Sequence, residues 1–137
     1  MVRKEDRGEG KFDTLTKCLR LASHTINITD NPKVFTPEHG RLTEEIRFLA
    51  KDIYHKARVA NDIRVTSTEE AELRKKLQNQ AIAECDHLLS EIQIAMKIFH
   101  LRVKRVEYWG NMVEEVKNYL RSWRDKDADR YRQKLKR

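Results

Sequence analysis

Apolar side chains recur along most of this chain at steps of three and four residues, the spacing of one face of an α-helix. Phe12, Leu15, Leu19, Ala22 and Ile26 make a first stripe. It predicts a helix ending near Asn27 to Thr29, ahead of the turn cluster Thr29-Asp30-Asn31-Pro32. Thr36-Pro37-Glu38 reads as a second start: Thr36 can cap, Pro37 needs no amide partner in the first turn, and Glu38 suits the positive end of the helix dipole. The seam that follows is Leu42, Ile46, Leu49, Ile53, Ala57 and Ala60, ending where Ile63-Arg64-Val65-Thr66 lowers helix propensity. Ser67-Thr68-Glu69-Glu70 is a capping box that opens a third helix. Its seam is Leu73, Leu77, Ala81, Cys85, Leu88, Ile92, Ala95 and Phe99, widened by Ile82, Leu89 and Ile98. An arc that broad suits a central position or a contact between subunits.

The most regular stretch is the fourth. Val106, Trp109, Val113, Val116, Leu120 and Trp123 form a seam with both tryptophans in it, while Glu107, Glu114, Glu115, Lys117 and Arg121 occupy the outer face. Neither Gly nor Pro separates Phe99 from Val106, yet a compact core needs a connection, which we place at His100 to Lys104. Beyond Trp123 only Ala128, Tyr131 and Leu135 are apolar, so the end of the chain either prolongs the fourth helix as a solvated basic arm or frays. Four seams of this kind joined by short connections predict an all-α fold, an antiparallel up-down four-helix bundle. The bundle is expected over residues 11–124, with a disordered N-terminus at 1–10 and a basic C-terminal extension at 125–137.

Composition agrees with helices. The chain has 137 residues, enough for one core, and 37% charged residues with two prolines and four glycines, few turn formers for a sheet protein. Its formal charge of +7 is unevenly spread: from Arg102 onward there are twelve Lys and Arg against six acids, a local net of +6. Such a bias favours phosphate-rich or acidic partners. Cys18 and Cys85 lie far apart within apolar stripes, so buried, reduced thiols are expected rather than a disulfide or a zinc site. No apolar run reaches membrane-spanning length and the first ten residues have no hydrophobic signal core, which points to the cytoplasm.

One constellation resembles chemistry. Asp52-x-x-His55 and Glu84-x-x-His87 have the carboxylate-histidine spacing that holds two metals in some helical bundles, but each pair lies on the flank of its seam, and the first and fourth helices add no inward glutamate. No metal or other cofactor is expected. No nucleophile stands at a recognisable spacing from a base, and no glycine-rich phosphate loop is present, so the chain does not read as an enzyme. The remaining candidates are outward cations: Lys51, Arg58, Arg102, Lys104, Arg105, Lys117, Arg121 and Arg124, with Lys117, Arg121 and Arg124 spaced as one exposed ridge. They are the expected nucleic-acid-binding residues. The alternative is a protein-only oligomeric assembly module whose basic face binds an acidic partner.

The stretch V-E-Y-W-G-N-M-V-E-E-V-K-N-Y-L-R-S-W resembles the last helix of a bacterial four-helix-bundle family. That family includes the ribosomal-RNA intervening-sequence proteins and the accessory variability determinant of diversity-generating retroelements. Tyr108, Trp109, Glu115-Val116 and Ser122-Trp123 occupy the family's aromatic, tryptophan, acidic-aliphatic and closing positions. The entry V-F-T-P-E-H-G-R-L-T-E-E-I-R and the step Ala60-Asn61 are similar to its second helix. The likeness runs from Phe12 to Trp123; Lys117 and Ser122 stand where the family has glycines, and the basic tail runs past its usual end. The resemblance implies a non-catalytic accessory protein assembled as a homo-oligomeric ring, a pentamer in the retroelement branch. It also implies that a basic surface binds template RNA, or an RNA/DNA hybrid, and a reverse transcriptase.

Overall fold

In a computed structural model, residues 9–135 are described, with side chains from residue 13 onward. Residues 1–8, and with them most of the expected disordered N-terminus, lie outside the described residues. The described chain is helical: α1 (Glu9–Ile28), a 3₁₀ turn (Pro37–His39), α2 (Gly40–Asp62), α3 (Thr68–Phe99) and α4 (Val103–Leu135), with no strand among the described residues. Backbones of α1 and α3 each pack on both α2 and α4, and none meet across the diagonals, which is the arrangement of a four-helix bundle. Side-chain pairs fix the directions. Thr25 with Trp109 and Lys17 with Glu115 run α1 against α4. Arg74 with Asp127 and Lys117 with Asp86 run α3 against α4.

The seam of α4 is buried in full, from Val106 through Trp109, Val113, Val116 and Leu120 to Trp123. It meets Ile46, Ile53, Leu88 and Ile92 from α2 and α3 in one core, which also holds Cys18 and Cys85 as free, buried thiols. Burial pushes the Cys18 thiol up to about 12, and the Cys85 thiol up as well, so both stay protonated and behave as small apolar residues.

Two stripes differ from the reading of the sequence. Leu19 is 48% exposed, and the buried face of α1 is instead Thr14, Cys18, Leu21, Ala22 and Thr25, continued by Thr29 in the turn that follows. Threonine presents a methyl to the core and its hydroxyl finds an oxygen or a donor: Thr29 Oγ1 donates to the Thr25 carbonyl at 2.7 Å, and Thr25 Oγ1 accepts from Trp109 Nε1 at 3.1 Å. In α3, Leu73 and Ile98 are exposed, 50% and 41%, while Arg74 and Gln78 take inward positions.

The ends of the helices follow local chemistry. Thr36 precedes Pro37 in an extended conformation but makes no side-chain cap; Pro37–His39 form a 3₁₀ turn, and Gly40 opens α2. Ser67 Oγ accepts from the Glu70 amide at 3.2 Å, and the Glu70 carboxylate returns to Thr66, accepting from its amide at 2.7 Å and its hydroxyl at 2.6 Å. The break between α3 and α4 falls at His100, which takes the left-handed conformation, φ 54, while the amides of His100 and Leu101 both turn back to the Met96 carbonyl. Histidine is tolerated there in place of the usual glycine.

Beyond Trp123, α4 continues unbroken to Leu135, and its next inward position is Asp127. Arg74 grips Asp127 with two hydrogen bonds, Nε to Oδ2 at 2.7 Å and Nη2 to Oδ1 at 3.2 Å, and Gln78 Nε2 adds a third at 2.8 Å. Nη1 of Arg74 donates to the carbonyls of Ala60 and Ile63 at the end of α2, and the guanidinium lies over the Trp123 and Tyr131 rings at 5.1 and 5.6 Å. One buried cation thus ties the end of α2 to α3 and α4.

Candidate nucleic-acid interface

Three of the candidate cations gather at one end of the bundle. Arg102 lies in the α3–α4 turn, and Lys104 and Arg105 lie in the first turn of α4; all three are exposed. A helix N-terminus carries a partial positive charge and unpaired amides, so acids are the favoured residues there and each cation costs about 0.3–1 kcal/mol. The first turn of α4 has no acid to offset them. At the start of α4 the exposed cations and the partial positive charge of the unpaired amides therefore have the same sign.

The ridge expected on α4 is divided. Lys117 Nζ is held by Asp86 of α3 at 2.7 Å, and Arg124 donates to Asn79 at 2.9 Å and to Asp125 at 3.0 Å. Both side chains are half-buried in the α3–α4 seam, whereas Arg121 between them is exposed. Arg130 and Arg132, further along, are paired with Asp127 and Asp129. Lys51 and Arg58 are exposed on α2, whose backbone does not touch α4, and Arg58 Nη1 donates to the Tyr54 hydroxyl at 3.1 Å. The fold brings Arg102, Lys104 and Arg105 together, places Arg121 about 24 Å along the helix from Arg105, and leaves Lys51 and Arg58 on another face.

A feature absent from the sequence reading is a groove of about 460 Å³ between the start of α3 and the end of α4. Lys75, Arg124 and Arg132 stand on its rim, and Ala71, Ala128 and Tyr131 contribute apolar surface. Only the facing of α3 against α4 assembles these residues, and no spacing within either helix announces it.

The two carboxylate-histidine spacings resolve differently from a metal site. His55 and His87 are exposed. Their carboxylates face each other across α2 and α3 with Lys56 between them, Nζ 2.7 Å from Asp52 and 3.1 Å from Glu84. Burial, together with a hydrogen bond to Asp52, pushes Glu84 up to about 7, and the same bond, with Lys56, lowers Asp52. Glu84 thus carries the proton that the pair shares. Burial works against the Lys56 charge, but its bonds to both acids hold it above its ordinary value. Glu91 is raised in the same way, by burial and a hydrogen bond to Glu45. Among the described residues no three potential ligands are grouped to hold a metal, and no helix is long and apolar enough to cross a membrane.

Compared with known protein families, curated proteins and solved structures, the chain matches none.

Proposed function

We propose that this protein is a non-catalytic accessory of a diversity-generating retroelement, acting in the cytoplasm as a homo-oligomeric ring that binds template RNA and a reverse transcriptase. The observation that carries the reading is the positive end of the bundle: Arg102, Lys104 and Arg105 crowd the N-terminus of α4, where cations cost stability and no acid offsets them. A polyanion repays that cost. The resemblance of the α4 sequence to the accessory proteins supplies the RNA and the polymerase as partners.

The test is the salt dependence of RNA binding. If about four phosphates are neutralised on a single strand, raising salt from 50 to 200 mM lowers affinity by roughly fiftyfold, since log K falls by about 0.7 per phosphate for each decade of salt. The variant Arg102→Gln/Lys104→Gln/Arg105→Gln reduces that slope by about three phosphates' worth, roughly 2 in log K per decade of salt, and leaves the helical spectrum unchanged. Binding that ignores salt, or no binding, refutes the RNA reading; a triple variant that binds like the parent removes this end of the bundle from the site.

A further inference from the structure

The chain has four tyrosines, and the fold treats one of them differently. Arg58 lies 6.0 Å from the centre of the Tyr54 ring, Lys17 lies 5.5 Å from that of Tyr119, and Arg74 and Arg130 lie 5.6 and 4.9 Å from that of Tyr131. Each of these three rings is covered by a cation of its own chain. Tyr108 is 56% exposed, and among the described residues no cation lies over it. Its ring neighbour is His24 of α1, in a T-shaped contact with 5.3 Å between centroids and 67° between planes. Burial and the charge of Arg20 lower the His24 imidazole below its ordinary value, so this neighbour is neutral near pH 7.

Cations stand around Tyr108 instead of on it. Lys104 and Arg105 are one turn before it on the same side of α4, and Arg20 is one turn before His24 on α1. All three are exposed, and none is in an ion pair among the described residues. The acids of α4 are placed elsewhere. Glu115, further along this side, is bonded to Lys17 at 3.2 Å, and Glu107 projects about 100° round the helix from Tyr108, away from α1. Two helices thus bring an exposed ring and three unpaired cations to one face. A duplex would use the cations alone, because its bases are stacked on one another. Single-stranded nucleic acid uses both, since its phosphates meet the cations while an unpaired base is free to lie on an aromatic side chain.

We propose that the α1–α4 face around Tyr108 binds single-stranded nucleic acid, with an unpaired base stacked on the Tyr108 ring and the adjoining phosphates held by Lys104, Arg105 and, from α1, Arg20. This rests on the RNA reading of the proposed function and specifies the form of strand that is taken. Stacking tolerates any sequence, because every base has a π face, so the contact selects unpaired over paired bases rather than one base over another.

Fluorescence anisotropy with a short labelled RNA strand, alone and annealed to its complement, tests it. Tyr108→Ala lowers affinity for the single strand by roughly five- to a hundredfold at fixed salt and leaves duplex binding unmoved. Its salt slope equals the parent's, since no charge is lost. Tyr108→Phe keeps the ring and binds like the parent, and Arg20→Gln lowers the slope by about 0.7 in log K per decade of salt. Tyr108 and Arg20 are exposed, so these variants keep the helical spectrum of the parent. A Tyr108→Ala protein that binds the single strand as tightly as the parent, or weakens on strand and duplex alike, overturns the stacking contact, as does a Tyr108→Phe loss as large as that of Tyr108→Ala. An unchanged slope in Arg20→Gln overturns the part assigned to α1. Each of these results leaves the RNA reading standing on the parent's own salt slope, whereas a parent that binds neither strand nor duplex overturns both.

Discussion

Arg74 and Asp127 are the pair whose loss the fold should feel most. Both are buried, at 4% and 5% exposure, so removing Asp127 leaves the Arg74 charge with little water around it, while Asp127 without Arg74 still has Arg130 2.7 Å away. Asp127→Asn keeps the shape and deletes the charge; the guanidinium of Arg74 then faces a neutral amide in a dry site. Breaking one side of a buried pair costs about 3–5 kcal/mol, mostly the desolvation of the charge left behind. For a domain of this size that is a fall in Tm of roughly 10–20 °C. Arg74→Met costs at least as much, because it also takes the donor from the Ala60 and Ile63 carbonyls. The double variant Arg74→Met/Asp127→Asn removes both charges at once, so it should be more stable than the sum of the single losses by about 3 kcal/mol. Urea denaturation followed by circular dichroism gives all four corners of the cycle. A loss below about 1 kcal/mol for Asp127→Asn, or a cycle that closes additively, would refute the view that this pair holds the three helices together.

Two further outcomes follow from local features. Glu84 is protonated when folded up to about 7 but only to about 4.5 when unfolded, so its contribution to stability is full below pH 4.5 and is lost as pH rises towards 7. Asp52, lowered, adds stability that is full above about pH 3.8 and lost only in acid, so between pH 5 and 8 the slope belongs to Glu84 and should cost the protein about 1–2 kcal/mol. Glu84→Gln should flatten that slope in denaturation at the two pH values, and an unchanged slope would place the titration elsewhere. His100 holds a left-handed conformation at the end of α3, which strains an L-residue by about 1 kcal/mol, so His100→Gly should raise Tm by about 2–4 °C in thermal unfolding despite glycine's freer unfolded chain; a lower Tm would mean the exposed imidazole contributes more than its strain.

What the sequence made legible, and what it did not, divides along a physical line. The seam of α4 was readable to the residue because Val106 through Trp123 are all apolar and all buried. Its next member, Asp127, was unreadable: a carboxylate four residues past Trp123 looks like the end of a seam, and only Arg74, 53 residues away, makes it an interior residue. Leu73 was taken for core for the same reason, since within α3 alone the leucine is a better candidate than its neighbour Arg74, which takes the inward place. On α1 and in the turn that follows, the burial of Thr14, Thr25 and Thr29 depends on the oxygens and donors that stand opposite, such as the indole of Trp109.

The candidate interface divides in the same way. That cations accumulate toward the end of the chain was visible, but which of them are spent inside the bundle was decided by Asp86 and Asn79 on another helix. Arg102, Lys104 and Arg105 are exposed, and the first turn of α4 has no acid of its own. Phe48 and Val59 are exposed on the outer, polar face of α2, where the spacing of the inward seam does not reach them. Periodicity within one helix identifies stripes. The partners of each stripe are a property of two helices, and where a partner is polar, the stripe's meaning has to come from the structure.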